Sequence, residues 1–167
     1  RLTIQKGAEF FIRAAKKVLE YEPASRFVVA GTGDMLPRLI NQAVDMGISS
    51  KVIFTGLLTE EEARHIYRIS NIYVMPSVGE PFVITALEAV SAGTPSIASK
   101  TAGFSEAFQN CLRVDFWDTD EMANKIISLL RYDPLHKTLA TEGKRELDLF
   151  TWDRVAEKTI DVYNRVM

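Results

Sequence analysis

Residues 72–98 read IYVMPSVGEPFVITALEAVSAGTPSIA, and this stretch decides the fold. It opens on a β-rich apolar run at 72–75 and passes through a Pro-Ser-Val-Gly loop. An apolar segment of helical length follows over 81–91, ending at Gly93-Thr94-Pro95, and a second short apolar run occupies 96–98. A strand, a loop, a helix and a strand in that order form the crossover unit of a parallel sheet.

The same alternation extends in both directions. Further strand candidates lie at 27–30, 52–55 and 112–114. They are continuous apolar runs without alternation, as expected where a parallel sheet is covered on both faces. Amphipathic helices fill the intervals. Phe11, Ala14, Ala15, Val18 and Leu19 form one stripe within 7–22, and Leu36, Leu39, Ile40, Ala43 and Val44 another within 34–46. Thr59 and Glu62 have capping-box spacing ahead of Ala63, Ile66 and Tyr67; Asp118 and Glu121 repeat it before Met122, Ile126, Leu129 and Leu130. The expected class is α/β, a doubly wound, Rossmann-like parallel sheet. After Asp133-Pro134 two helical patterns follow without a strand. The last is expected to bury Trp152, Val155, Thr159, Tyr163 and Val166, on this domain or on another.

Composition narrows the functional classes. At 167 residues, 47% apolar and 25% charged, the chain has the balance of one globular domain. A net charge of −2 gives no general reason to expect nucleic acid as a partner. One cysteine, Cys111, excludes an internal disulfide framework and suits a reducing compartment. Neither His65 nor His136 has a partner at metal-ligand spacing, so no metal site is expected. Cys111, His65, His136 and Trp117 are read as structural or surface residues. No apolar run reaches the roughly 20 residues that span a bilayer. The chain opens at Arg1-Leu2-Thr3 without a methionine and is expected to be part of a longer protein.

In an open parallel sheet, ligands bind beyond the carboxyl ends of the strands. The loops there are Gly31-Thr32-Gly33, Gly56-Leu57-Leu58, 76–81 and 100–103. Within 81–92 the only ionisable residue is Glu88, and a carboxylate in so apolar a helix requires a partner if it is buried. Glu80 precedes it by eight residues, a separation of roughly 12 Å at helical rise. That exceeds the ~5–9.5 Å of a glycosidase carboxylate pair. It suits an extended ligand with hydroxyls at both ends and an anionic group between, held by the N–H groups of the helix N-terminus. Two carboxylates beside an anion call for cations, and Arg1 and Lys6 are the candidates. On spacing alone, Glu80 reads equally as an ordinary loop acid, and Arg1 and Lys6 as surface charges. Gly31 and Gly33 lack the third glycine of a dinucleotide fingerprint.

These segments together resemble the C-terminal domain of GT-B glycosyltransferases of family 4 and its glycogen synthase relatives. Arg1-Leu-Thr-Ile-Gln-Lys-Gly7 resembles the family's G-R-L-x-x-x-K-G segment, and 80–95 its E-x7-E motif with the A-G-T-P ending. Residues 28–33, 52–56, 71–77 and 150–156 match further family segments in order. The resemblance implies a retaining glycosyltransferase whose donor is a nucleoside diphosphate sugar, with UDP or GDP as carrier, and no metal or other cofactor. Arg1 and Lys6 would neutralise the diphosphate, Glu80 would hold the transferred sugar and Glu88 the ribose. Backbone N–H groups of Val83, Ile84 and Thr85, with the Thr85 hydroxyl, would complete the phosphate site; Leu58 would line the base pocket, and Phe82 and Gly31 would be further donor-binding residues. Residues 1–167 would be one donor-binding domain with extra C-terminal helices, lacking its first strand. The acceptor, a glycan, a lipid-linked sugar or a small molecule, would sit on an N-terminal domain of the same chain. A cytoplasmic enzyme, open to peripheral attachment at the inner face of a membrane, is implied. Val83 departs from the family's usual glycine. That departure leaves a non-catalytic nucleotide-sugar-binding module as the alternative, beside a GT-B nucleotide-sugar epimerase.

Overall fold

The computed structural model describes residues 1–80 and 84–166. Along the chain run α1 (Ala8–Tyr21), β1 (Phe27–Ala30), α2 (Leu36–Asp45), β2 (Val52–Gly56), α3 (Glu60–Ile69), β3 (Tyr73–Met75) and α4 (Ile84–Ser91). Then come β4 (Ser96–Ser99), α5 (Gly103–Ala107), β5 (Leu112–Val114), α6 (Thr119–Arg131), α7 (Asp133–Glu146) and α8 (Trp152–Val166). All strand pairings are parallel, so the expected α/β class holds.

The hydrogen-bonded ladders form two groups rather than one. β1 pairs with β2, while β3, β4 and β5 pair in that order. The N-terminal residues link the two groups. Leu2 N–H donates to Thr32 C=O beyond β1 (2.8 Å), and Val78 N–H beyond β3 donates to Gln5 C=O (2.9 Å). One core nevertheless spans both, joining Leu2, Phe27 and Val29 to Ile97, Val114 and Met122. Ala14 and Ala15 of α1 are fully buried. Side chains that small let α1 lie close against α6, whose Met122, Ile126 and Leu129 are buried in the same core.

The caps form as the spacing predicts. Thr59 N–H donates to Glu62 Oε2 (2.7 Å) and Glu62 N–H returns to Thr59 Oγ1 (3.3 Å). Asp118 Oδ1 accepts from Glu121 N–H at 2.9 Å. A second cluster holds Met75, Ala86, Val90, Phe104, Phe108 and Cys111 behind α4. Gly143 of α7 is what lets that helix approach, since a Cβ there would stand 3.2 Å from Val90 Cγ1. Glu146 then ties the end of α7 to the Gln109 and Asn110 amides at 2.7 and 2.9 Å. Burial pushes the Cys111 thiol up to about 11, which keeps it protonated and unreactive at neutral pH.

Three expectations are corrected. Ile40, Val44 and Leu130 are exposed, because α2 and α6 bury narrower stripes than their periodicity suggests. The short helix α5 is absent from the sequence reading; its five residues are too few for a periodic signal. For α8, one of the two expected settings is corrected: its apolar face does not pack on this domain. Trp152, Val155, Tyr163 and Val166 are all exposed, and Thr159 with them. Phe150, just before α8, closes over Phe108 with ring centroids 5.8 Å apart. An open crevice of about 400 Å³ lies between Ala107, Phe150 and Val155. Trp117 is also more than half exposed. Native tryptophan emission should therefore match that of the urea-unfolded chain in wavelength and acrylamide accessibility. A blue-shifted native spectrum would show that α8 is covered.

Among the described residues, no helix is long and apolar enough to cross a membrane.

Candidate functional site

The site grows from the loop after β3. Ser77 is buried, and its carbonyl accepts from Thr101 Oγ1 at 3.2 Å. Glu80 is drawn beside the loop after β4, where its C=O accepts from Gly103 N–H at 2.8 Å. The loop thus hangs between two strand ends, as the parallel-sheet rule expects.

The N-terminal turn is stitched to the same loop. Residues Ile4–Lys6 form a 3-10 turn closed by Gly7 at φ 65°. Gln5 accepts from Val78 N–H through its carbonyl and donates through Nε2 to Gly79 C=O at 2.8 Å. Gly7 sits so close that a Cβ there would stand 1.9 Å from Pro76 O. These contacts bring Lys6 onto Glu80, and its Nζ pairs with Oε1. Ser77 Oγ donates to the other carboxylate oxygen at 3.1 Å. Lys6 is 36% exposed, so solvent screening leaves the pair worth no more than about 1 kcal/mol. An incoming anion can therefore take Lys6 from Glu80 at little expense.

The other end of the site lies on α4. Ala86, Ala89 and Val90 face the core, whereas Ile84, Thr85 and Glu88 are exposed. Thr85 and Glu88, three residues apart, share that outer face. Glu88 is not the buried acid that its apolar neighbours allow for; it is solvated and accepts a hydrogen bond from Tyr67 OH at 3.3 Å. Tyr73 OH lies 2.8 Å from Thr85 Oγ1. Burial, reinforced by the charges of Glu80 and Glu88, pushes the Tyr73 phenol up to about 12. Its neighbour Tyr67 is raised further, by burial first and then by Tyr73 and Glu88. Tyr73 thus reaches α4 from β3 through the Thr85 hydroxyl.

The remaining candidates are spread around this centre. Arg1 is exposed at the chain start. Gly31 and Gly33 make room for the chain's own N-terminal segment: a Cβ on Gly33 would meet Leu2 O at 2.2 Å, and one on Gly31 would touch the Leu2 side chain at 3.7 Å. Leu58 is half-buried between β2 and α3 and, with His65 and Arg68, lines an open depression of about 1030 Å³ that Glu80 and Glu88 do not border. Phe82 and Val83 lie outside the described residues. Among the described residues, no group of three His, Cys, Asp or Glu side chains is placed to hold a metal. His136 Nε2 lies 2.8 Å from Asn71 O, and His65 is exposed.

Sequence reasoning missed Gln5, Tyr67, Tyr73 and Ser77. Tyr67 and Tyr73 sit in apolar patterns that read only as packing, and their hydroxyls become informative once α3, β3 and α4 are placed together.

The family described as glycosyl transferases group 1 matches residues 1–146, which includes every element of this site. This chain belongs to the group 1 glycosyltransferases. It is 34% identical over its whole length to an uncharacterized glycosyltransferase of Methanocaldococcus jannaschii, covering 44% of that protein. It is 31% identical to D-inositol 3-phosphate glycosyltransferase of Rhodococcus opacus, over 98% of this chain and 39% of the relative. The chain thus spans less than half the length of these curated relatives. Among solved structures, it resembles the C-terminal domain of a group 1 glycosyl transferase (LpcC) from Francisella tularensis. That match has a TM-score of 0.80 and 27% identity, over 89% of this chain and 80% of that one. HepE of Anabaena, solved with UDP-glucose, shares the fold at a TM-score of 0.86 with 19% identity, over 99% of this chain and 47% of that one. As a group 1 glycosyltransferase chain, it carries the GT-B C-terminal fold that the motif order implies. Helix α8 lies beyond the matched residues.

Proposed function

We propose that this domain binds the nucleoside diphosphate sugar of a retaining glycosyltransferase and presents it to an acceptor held on a second, N-terminal domain. The observation that carries the reading is the shared outward face of α4. Thr85 and Glu88 share it, and the Lys6–Glu80 pair stands at the loop that leads toward the helix. In this reading Glu88 takes the ribose hydroxyls, and Thr85 with the start of α4 takes the diphosphate. Lys6 leaves Glu80 for the phosphates, with Arg1 beside it, and Glu80 turns to the hydroxyls of the sugar. The cations stabilise the charge that develops on the leaving diphosphate, the task a metal performs elsewhere. UDP-glucose in HepE and the sugar-transfer names of the curated relatives are consistent with this chemistry.

A panel of UDP-, GDP- and ADP-sugars against this chain tests the reading by thermal shift. A bound donor is expected to add about 1.4 kcal/mol of apparent stability for each tenfold excess over its Kd. NAD is expected to add none. Stabilisation by NAD alone would overturn the assignment.

A further inference from the structure

Thr85 and Glu88 are each held from another element by a tyrosine. From β3, Tyr73 places its hydroxyl 2.8 Å from Thr85 Oγ1. From α3, Tyr67 donates to Glu88 Oε2 at 3.3 Å. The rings meet edge to face, with centroids 5.9 Å apart and planes at 77°. Tyr67 is fixed again through its carbonyl, which accepts from Thr94 Oγ1 at 2.6 Å. We propose that Tyr67 and Tyr73 act as one positioning unit that orients Thr85 and Glu88 toward the nucleoside diphosphate. This proposal rests on the donor reading given above.

The chemistry of the Thr85 hydroxyl carries the first half. It has one proton to give. If that proton goes to a phosphate oxygen, the bond to Tyr73 must be made with the tyrosine's proton. Tyr73 meets this requirement, because burial and the two nearby carboxylates keep its phenol neutral up to about pH 12. The resulting chain from Tyr73 through Thr85 to phosphate is one in which each bond polarises the next. Glu88 carries the second half. It is exposed, and an exposed glutamate samples several rotamers that binding must freeze. The Tyr67 hydroxyl selects one of them before the ligand arrives. It occupies Oε2 and leaves Oε1 to face a ribose hydroxyl, which is preorganisation of the kind that strengthens binding without new ligand contacts. The edge-to-face contact makes the pair one unit, since neither ring can turn without disturbing the other.

If the tyrosines served packing alone, phenylalanine would replace them without consequence for the ligand. Binding is therefore measured by calorimetry on this chain, using whichever of UDP, GDP and ADP the wild type binds most tightly. The variants are Tyr73→Phe, Thr85→Val and their double, and Tyr67→Phe, Glu88→Ala and their double. Each tyrosine variant is expected to weaken binding about three- to tenfold, with ligand-free melting lowered by at most a few degrees. Tyr73→Phe is expected to cause no further loss once Thr85 is valine, and Tyr67→Phe none once Glu88 is alanine. Such non-additivity is the signature of one residue acting through another. Losses that multiply in the doubles, or tyrosine variants that bind as the wild type does, overturn the positioning unit and leave the donor reading intact. A wild-type chain that binds none of the three diphosphates overturns the donor reading and this inference with it.

Discussion

Gly7→Ala is expected to destabilise the domain by roughly 3–5 kcal/mol, the range in which a single substitution has an identifiable steric cause. Two effects add. Gly7 has φ 65°, and an L-residue in that region carries a penalty of about 1–2 kcal/mol. Its Cβ would also meet the Pro76 carbonyl oxygen at 1.9 Å, a backbone atom with no flexible end to move aside. Gly47→Ala is the matched control, because Gly47 has φ 69° but open space around its Cβ. Only the conformational penalty is expected there. Urea denaturation of the two variants separates the terms: equal losses would show that Gly7 does not press on the site loop. A larger loss at Gly7 should come with weaker nucleotide binding, since the N-terminal turn carries Lys6 and Gln5 to that loop.

How much of this is legible in sequence depends on which physical signal a residue leaves. The run at 27–30 is apolar, β-rich and bounded by turn residues, and it is a strand with those limits. The spacing of Thr59 and Glu62 encodes a reciprocal capping pair, and that pair forms. The lone carboxylate in 81–91 marks Glu88, since an acid among Ala, Leu and Val calls for an explanation. Other features leave no such trace. The pairing of Lys6 with Glu80 joins residues 74 positions apart and depends on the N-terminal turn crossing to the end of β3. The Tyr67 and Tyr73 hydroxyls are invisible because a tyrosine in an apolar pattern reads as a ring. Helix α8 misleads for a related reason. Its periodicity shows that one face is apolar, but it does not specify what covers that face.

The charged residues of the motif should separate by ligand. Lys6→Met is expected to weaken nucleoside diphosphate binding by roughly 10- to 150-fold, the worth of hydrogen bonds to a charged group. Sugar transfer by the enzyme carrying this domain is expected to fall further, about 10²- to 10³-fold, because the leaving diphosphate carries more charge in the transition state than in the bound donor. Stability should change by less than about 1 kcal/mol, since the Lys6–Glu80 pair is partly solvated. Glu88→Ala should weaken free nucleotide and intact donor alike, because ribose is common to both. Glu80→Gln should spare the free nucleotide and weaken the intact donor, because only the latter carries the sugar. Lys6 and Glu80 touch in the unliganded domain, so the Glu80 substitution also frees Lys6 from its partner. Free nucleotide should then bind Glu80→Gln at least as tightly as wild type, a sign that a merely structural ion pair would not produce. If Glu80→Gln and Glu88→Ala lose the same affinity for the same ligands, the motif does not divide into a sugar end and a ribose end, and Lys6 is not the group passed between carboxylate and phosphate.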